Sequence, residues 1–318
     1  MTVAGVLLGG ALAGGGGGAA APPPPPRRPR PRPPPPPPPA PPPPRPTSLA
    51  PTSPAPASPS APAPAAATSA APKKPPTMAP GPAGRTPVFE RRPTGGGAAG
   101  GAAAKDAAEK VVALTFDADM TADQGARAKA GERFDNPELI ALLRRLKVPS
   151  TVFMTGRWAE EYPAQAKGIG TDGLFEVANH SYSHYAFTAD CYGLPVVAKD
   201  AMTRDVERAF SAFRQAGVRN VVPYFRFPGG CYDDAALRAL GPANVTAVQW
   251  DVVSGDAFAT DAGAVAEQVL DGVRPGSLVV MHCTRSAAPV TAEAISRIVP
   301  ELRKRGYRFV KVSELMEG

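Results

Sequence analysis

From residue 111 onward the apolar positions of the chain keep switching between two periods. Val111 to Phe116 is a nearly continuous apolar run of strand length that ends on Asp117, and similar short runs follow at Thr151 to Met154, Leu174 to Ala178, Val221 to Phe225, Val245 to Trp250, Leu278 to Met281 and Tyr307 to Val312. Between them lie stretches with apolar residues three and four apart. The clearest begins at Asn136 and Pro137, a helix-start signature, and buries Leu139, Ile140, Leu142, Leu143 and Leu146 on one face. Further helices are predicted over Trp158 to Lys167, Asp200 to Gln215 with Gly217 as its stop, Asp233 to Leu240, Ala262 to Leu270, and Ala292 to Arg305. Strand and helix alternate about seven times, which predicts an α/β fold with parallel strands. Periodicity does not separate an open doubly wound sheet from a closed barrel; in both, chemistry gathers at the C-terminal ends of the strands.

Composition changes the picture for the first third of the chain. Of 42 prolines, 32 fall in residues 1–105, among Ala, Gly, Ser and Thr. Such a segment has too little apolar side-chain area to offset the entropy of ordering, so 1–105 is predicted to be a disordered, partly polyproline-II tail. The folded part is then 106–318, long enough to close a full core. The tail holds 11 Lys or Arg against the single acid Glu90, while the remainder has 24 basic and 27 acidic residues. The pI of about 9.4 therefore describes the tail. A basic tail of this kind suits weak contact with anionic cell-wall or membrane polymers, or serves as a bare spacer. The folded part lacks a basic patch interleaved with aromatics, and no nucleic-acid partner is expected. Val3 to Ala13 is apolar and Ala11-Leu12-Ala13 resembles a small-residue cleavage site, compatible with a signal peptide at 1–21, although no positive charge precedes it. A Pro-rich stalk ahead of one domain points to a secreted or cell-wall-associated monomer. The cysteines Cys191, Cys231 and Cys283 exclude a disulfide scaffold and leave open either one disulfide or buried thiols.

The candidate chemistry lies where the strands end. The chain has three histidines, and all follow predicted strands: His180 and His184, four residues apart after Leu174 to Ala178, and His282 after Leu278 to Met281. Two imidazoles leaving one strand end at this spacing can aim at one metal ion. Asp117, Arg226 and Asp256 fall at or just beyond three further strands. Singly, each could cap a loop or pair with a surface charge. Together at one rim they read as a site containing a carboxylate, a two-histidine clip, an arginine and a separate histidine.

These residues resemble the motifs of the NodB-homology polysaccharide deacetylases, carbohydrate esterase family 4. Leu114-Thr115-Phe116-Asp117 is similar to the family's first motif, Asn179 to His184 to its second, Phe225-Arg226-Phe227-Pro228 to its third, Trp250 to Asp256 to its fourth and Val279 to His282 to its fifth, in order across about residues 110–315. The resemblance implies a distorted (β/α) barrel of about seven parallel strands and metal-dependent removal of acetyl groups from an acetylated polysaccharide or oligosaccharide. It implies His180 and His184 as ligands of Zn²⁺ or another divalent transition metal, together with an aspartate. It implies Asp117 as general base held by Arg226, and His282 as general acid oriented by Asp256. On a gapless reading the family's metal aspartate falls on Ala118, and Asp119 is the carboxylate available in its place if the loop bends differently. Gly229 and Gly230 stand where an aromatic residue is usual, Ala257 where a tryptophan is usual, and Cys283 where an acid is common. These departures leave open a metal-dependent hydrolase of non-carbohydrate amides, or an inactive glycan-binding domain on the same scaffold.

Overall fold

The computed structural model describes residues 74–93 and 109–317; the leader reading at 1–21 and the polyproline reading of 1–73 and 94–105 lie outside the described residues. Among the described residues nine strands form one sheet: β1 (Val88–Phe89), β2 (Val111–Ala118), β3 (Ser150–Met154), β4 (Phe175–Asn179), β5 (Val221–Phe225), β6 (Thr246–Val248), β7 (Val252–Val253), β8 (Ser277–His282) and β9 (Arg308–Phe309). Every pairing is parallel. Their order is β1-β6-β5-β4-β3-β2-β8-β7, with β9 beside the start of β2. This order decides between the two predicted architectures. A doubly wound sheet reverses once and would place β7 against β2. Here the chain steps from β2 to β6 in one direction and then returns to the far side of β2 through β7 and β8. The winding is that of a distorted (β/α) barrel, with its seam between β6 and β7.

Part of the predicted tail is built into that barrel. β1 pairs with β6 through Val88 and Phe89, with Ala247 N–H bonded to Pro87 O and Gln249 N–H to Phe89 O, both at 2.9 Å. Tyr224 Oη donates to Pro76 O at 2.9 Å, and Arg92 N–H reaches Gly276 O, just before β8, at 3.0 Å. Residues 74–93 thus run from the β6 edge towards β8, and the disorder expected through 105 is corrected for them. Low apolar content did not keep this segment unfolded, because the open barrel edge supplies its backbone partners and Phe89 joins the barrel interior.

The apolar residues sort by strand parity. In β2, Val112, Leu114, Phe116 and Ala118 pack outward against the helices, while Val111 and Ala113 join the inner cluster with Phe153, Ala178, Val248 and Leu278. Thr115 and Asp117 share the inner parity. The helix Pro137–Leu146 forms as predicted, with Asn136 Oδ1 accepting the Leu139 N–H at 3.1 Å and Lys147 closing it in the left-handed region. The helix predicted over 158–167 is two helices, Gly156–Glu161 and Pro163–Gly170, because Pro163 has no N–H to continue the first. The last strand is shorter than predicted, and Val312–Glu317 instead forms a helix held by Glu176, which accepts from Ser313 N–H at 3.1 Å and Ser313 Oγ at 2.6 Å. With Val310, Val312 and Leu315 in the inner cluster, this segment fills the barrel end opposite the candidate site.

Candidate functional site

Asp117, His180, Arg226, Asp256 and His282 reach the C-terminal rim, as their strand-end positions predicted, and Asp119 joins them there. β2 runs two residues further than the apolar pattern indicated, through Ala118. Strand alternation then turns Ala118 into the helix-facing core, at 0% exposure, and returns Asp119 to the side of Asp117. No unusual loop bend is required.

Asp119 meets both histidines of the clip. Its Oδ1 lies 3.3 Å from His180 Nε2 and 3.6 Å from His184 Nε2, and its Oδ2 lies 3.8 Å from His282 Nε2. His180 Nδ1 is 3.0 Å from the Arg226 carbonyl, which can only accept, so Nδ1 carries a hydrogen and a neutral ring turns its Nε2 lone pair towards Asp119. The loop behind it is strained and pinned. Ser181 and His184 both have positive φ, at 68° and 56°; Asn179 Oδ1 accepts the Ser181 N–H at 2.8 Å, and Ser181 Oγ the His184 N–H at 2.9 Å.

This trio fits a metal ion. The ligand atoms of Asp119, His180 and His184 lie within 4.8 Å of one another. Asp119 Oδ1 is buried without a hydrogen-bond donor, an arrangement that costs free energy unless a cation takes it up. Tetrahedral ligands at zinc bond lengths are about 3.4 Å apart, close to the two separations seen here. Burial would raise the Asp119 carboxyl pKa, but His184, His180 and His282 around it hold it well below the ordinary range. Burial drives His184 down to about 4, against the pull of Asp119, leaving a neutral ring. At His180 burial works the same way but is outweighed by Asp117 and Asp119, whose field favours a cation at this point.

On one side stands the Asp117–Arg226 pair. Arg226 Nη1 donates to Asp117 Oδ1 at 2.6 Å, while Oδ2 faces His180 Nε2 at 3.8 Å. Burial lowers the Arg226 pKa and Asp117 opposes that shift. The guanidinium is fully buried, donates through Nε to Val248 O at 3.1 Å and through Nη2 to Gln249 O at 3.3 Å, and lies 3.8 Å over the Phe153 ring. Phe153 is buried in the inner cluster; Trp250 is half-buried, 5.3 Å from the same guanidinium. On the other side, Asp256 Oδ1 takes the hydrogen bond from His282 Nδ1 at 2.7 Å and its Oδ2 the His282 N–H at 2.8 Å. Burial opposes a charge on His282, but Asp256 and then Asp119 and Asp117 push its pKa up to about 10, so the ring carries a proton at neutral pH. Thr291 Oγ1 and Ser254 Oγ also donate to Asp256, at 2.7 and 2.9 Å. Neither residue was singled out from sequence, since a lone hydroxyl in a loop or first helical turn carries no distinctive pattern.

Cys283 is buried in the helix-facing core, where burial pushes its thiol up to about 12; it is no ligand of the site. Cys191 and Cys231 form a disulfide joining the loop after β4 to the loop after β5. It closes 40 residues of chain, so its removal by a Cys191→Ser/Cys231→Ser exchange should cost about 2–4 kcal/mol of stability in chemical denaturation. An unchanged midpoint would show that the two loops are held by packing alone.

A family model described as polysaccharide deacetylase matches residues 104–248. The chain is 30% identical over 181 residues to a chitooligosaccharide deacetylase of Sinorhizobium fredii, covering 54% of this chain and 80% of the relative. It is 27% identical over 211 residues to a peptidoglycan-N-acetylglucosamine deacetylase of Bacillus cereus, covering 65% of this chain and 89% of the relative. Among solved structures it resembles a carbohydrate esterase family 4 pseudoenzyme from Bacillus anthracis, at 25% identity and a TM-score of 0.52 over 65% of each chain.

Proposed function

The chain belongs to the polysaccharide deacetylase family, whose members hydrolyse the carbon–nitrogen bonds of acetylated glycans, and on that premise we propose that it is a metal-dependent deacetylase of peptidoglycan or a chitin-like oligosaccharide. One observation carries the metal-dependent reading. The Asp119, His180 and His184 ligand atoms converge between a carboxylate held by arginine and a histidine held by carboxylate.

Asp119 Oδ1, His180 Nε2 and His184 Nε2 would hold Zn²⁺ or a similar divalent ion. When bound there, such an ion supplies Lewis acidity and makes water a nucleophile near neutral pH. Asp117 takes the proton of the attacking water on Oδ2, because Arg226 occupies Oδ1. A backbone N–H after Pro228, that of Gly229, donates to the acetyl oxygen as charge builds on it. His282 delivers its Nε2 proton to the departing sugar nitrogen, while Asp256 fixes Nδ1 and the ring's orientation. The carbonyl carbon gains the water oxygen, the carbon–nitrogen bond breaks, and acetate and the free amine leave. An O-acetyl group would be cleaved by the same sequence of proton transfers.

Asp256→Asn should leave fold and metal content intact and lower kcat about a hundredfold on an N-acetylated glycan. It should lower it far less on an aryl acetate, whose leaving group needs no proton; equal losses on the two substrates would remove His282 from the acid role. The Cys191–Cys231 disulfide supports an oxidising compartment, and with the basic tail it favours a secreted or wall-associated monomer that contacts anionic polymers. The likeness to a pseudoenzyme sustains a second reading, a glycan-binding domain without turnover. Acetate release by the ion-loaded full chain from chitooligosaccharide and from peptidoglycan decides between them: release from either supports the enzyme, and binding without release supports the second. Release only from non-carbohydrate amides would move the chain to a different substrate class.

A further inference from the structure

The third motif departs from its family at Gly229 and Gly230, and the structure shows what fills the space that side chains there would need. Gly229 has a φ of +66°, and a Cβ on it would lie 2.6 Å from Cys191 Sγ, 3.3 Å from Leu194 Cδ1 and 3.4 Å from Tyr192 Cδ2. A Cβ on Gly230, at φ +75°, would lie 2.5 Å from Cη2 of Trp250. A side chain at either position is excluded by backbone conformation and by contact. The wall beside the site is therefore made by other loops, and the one at Gly229 belongs to the disulfide-tethered loop after β4.

Within that loop Tyr192 is anomalous. The residue is 88% exposed, yet its backbone has a φ of +50°, which a bulky residue adopts only when its surroundings impose it. The imposition is visible. Cys191 is buried and bonded to Cys231, Leu194 N–H reaches Cys191 O at 3.0 Å, and Ala186 is bonded to Pro195 O at 2.7 Å and by Val197 N–H at 2.9 Å. The loop is held rigid and its largest apolar ring is presented to solvent, beside the segment that carries Arg226 and Gly229. A fixed aromatic face of this kind serves recognition better than packing, since its ordering cost is met before a ligand arrives.

We infer that Tyr192 is a specificity-determining residue that stacks on a sugar ring of the glycan, replacing from the disulfide loop the wall that Gly229 and Gly230 cannot provide. The assignment rests on the deacetylase reading for the identity of the ligand. A pyranose ring presents C–H groups on its faces and hydroxyls at its edge. It therefore suits a tyrosine, which offers an apolar face and a polar tip. The ring bound here would neighbour the one whose acetyl group faces Asp117 and His282.

The test is a titration of the full chain with an N-acetylated chitooligosaccharide, beside steady-state deacetylation of the same compound. Tyr192→Ala should weaken binding about tenfold and raise KM by a similar factor with little change in kcat, whereas Tyr192→Trp should restore both. Unchanged affinity in Tyr192→Ala, a loss confined to kcat, or no measurable binding by the parent chain would overturn the assignment. Because the titration needs no turnover, a chain that binds through Tyr192 but releases no acetate would sink the deacetylase reading and keep this one.

Discussion

Asp119→Ala should lose the divalent ion and with it the activity, kcat/KM falling by more than about a hundredfold, since loss of even an outer-shell partner typically costs 10–100-fold. The expectation follows from strand geometry. Asp119 is the carboxylate between the two imidazoles, at 3.3 and 3.6 Å, and removing it leaves only two imidazole nitrogens as ligands. A sharper form of the prediction concerns Ala118, where the family's aspartate would fall. Ala118 faces the helix-side core with Leu114 and Phe116, so an aspartate there buries a carboxylate among apolar groups. Placing Ala118→Asp on the Asp119→Ala background should therefore not restore the ion, and should cost several kcal/mol of stability. Elemental analysis of the purified variants and their denaturation midpoints check both halves. Stoichiometric metal in Asp119→Ala would remove that residue from the ligand set, and recovery in the double variant would show that β2 does not keep its alternation to the rim.

Asp117→Asn should leave a folded protein that still binds the ion and has lost about a thousandfold in kcat, within the range expected for a general base. Asparagine keeps an oxygen for Arg226 Nη1 but cannot take a proton at neutral pH. Because Arg226 is fully buried, the lost charge also leaves its guanidinium partly uncompensated, with only neutral acceptors, the asparagine oxygen and two backbone carbonyls. Arg226→Met should be the more damaging change to the fold, since it strands a buried carboxylate; breaking a buried pair in this way costs about 3–5 kcal/mol. Turnover and denaturation measured on both variants separate the two roles. Near-normal turnover in Asp117→Asn would remove it from the base role, and an Arg226→Met variant as stable as the parent would show that the pair is not holding β5 and β6 to β2.

The strands and the rim were legible because each carries a strong local signal. A parallel barrel strand is buried on both faces and reads as a short apolar run, and a charged or imidazole residue closing such a run has nowhere to go but the end of the sheet. His180, His184, Arg226 and His282 are placed by that logic alone. Barrel closure was not legible, because pairing order is a long-range property, and the β6 to β7 seam shows only in the register. β1 escaped notice for a related reason. Val88 and Phe89 sit among prolines and glycines, and two residues do not make a pattern until an open edge offers them partners. The position of Asp119 lay between the two cases. Continuing the alternation of Thr115 and Asp117 by one step brings Asp119 to the same face, but only if β2 runs through Ala118, which the apolar run ending at Phe116 did not reveal. The Cys191–Cys231 pairing needed coordinates, as three cysteines allow three pairings.

Hydrolysis of a glycan acetyl group by this chain should depend on an ion held by Asp119, His180 and His184. Its most direct test is acetate release from an N-acetylated chitooligosaccharide by the chelator-treated full chain as a divalent metal is titrated back. No release is expected at the start, followed by a rise that saturates near one ion per chain. Release that persists without the ion, or an ion that binds stoichiometrically while neither chitooligosaccharide nor peptidoglycan yields acetate, would contradict it.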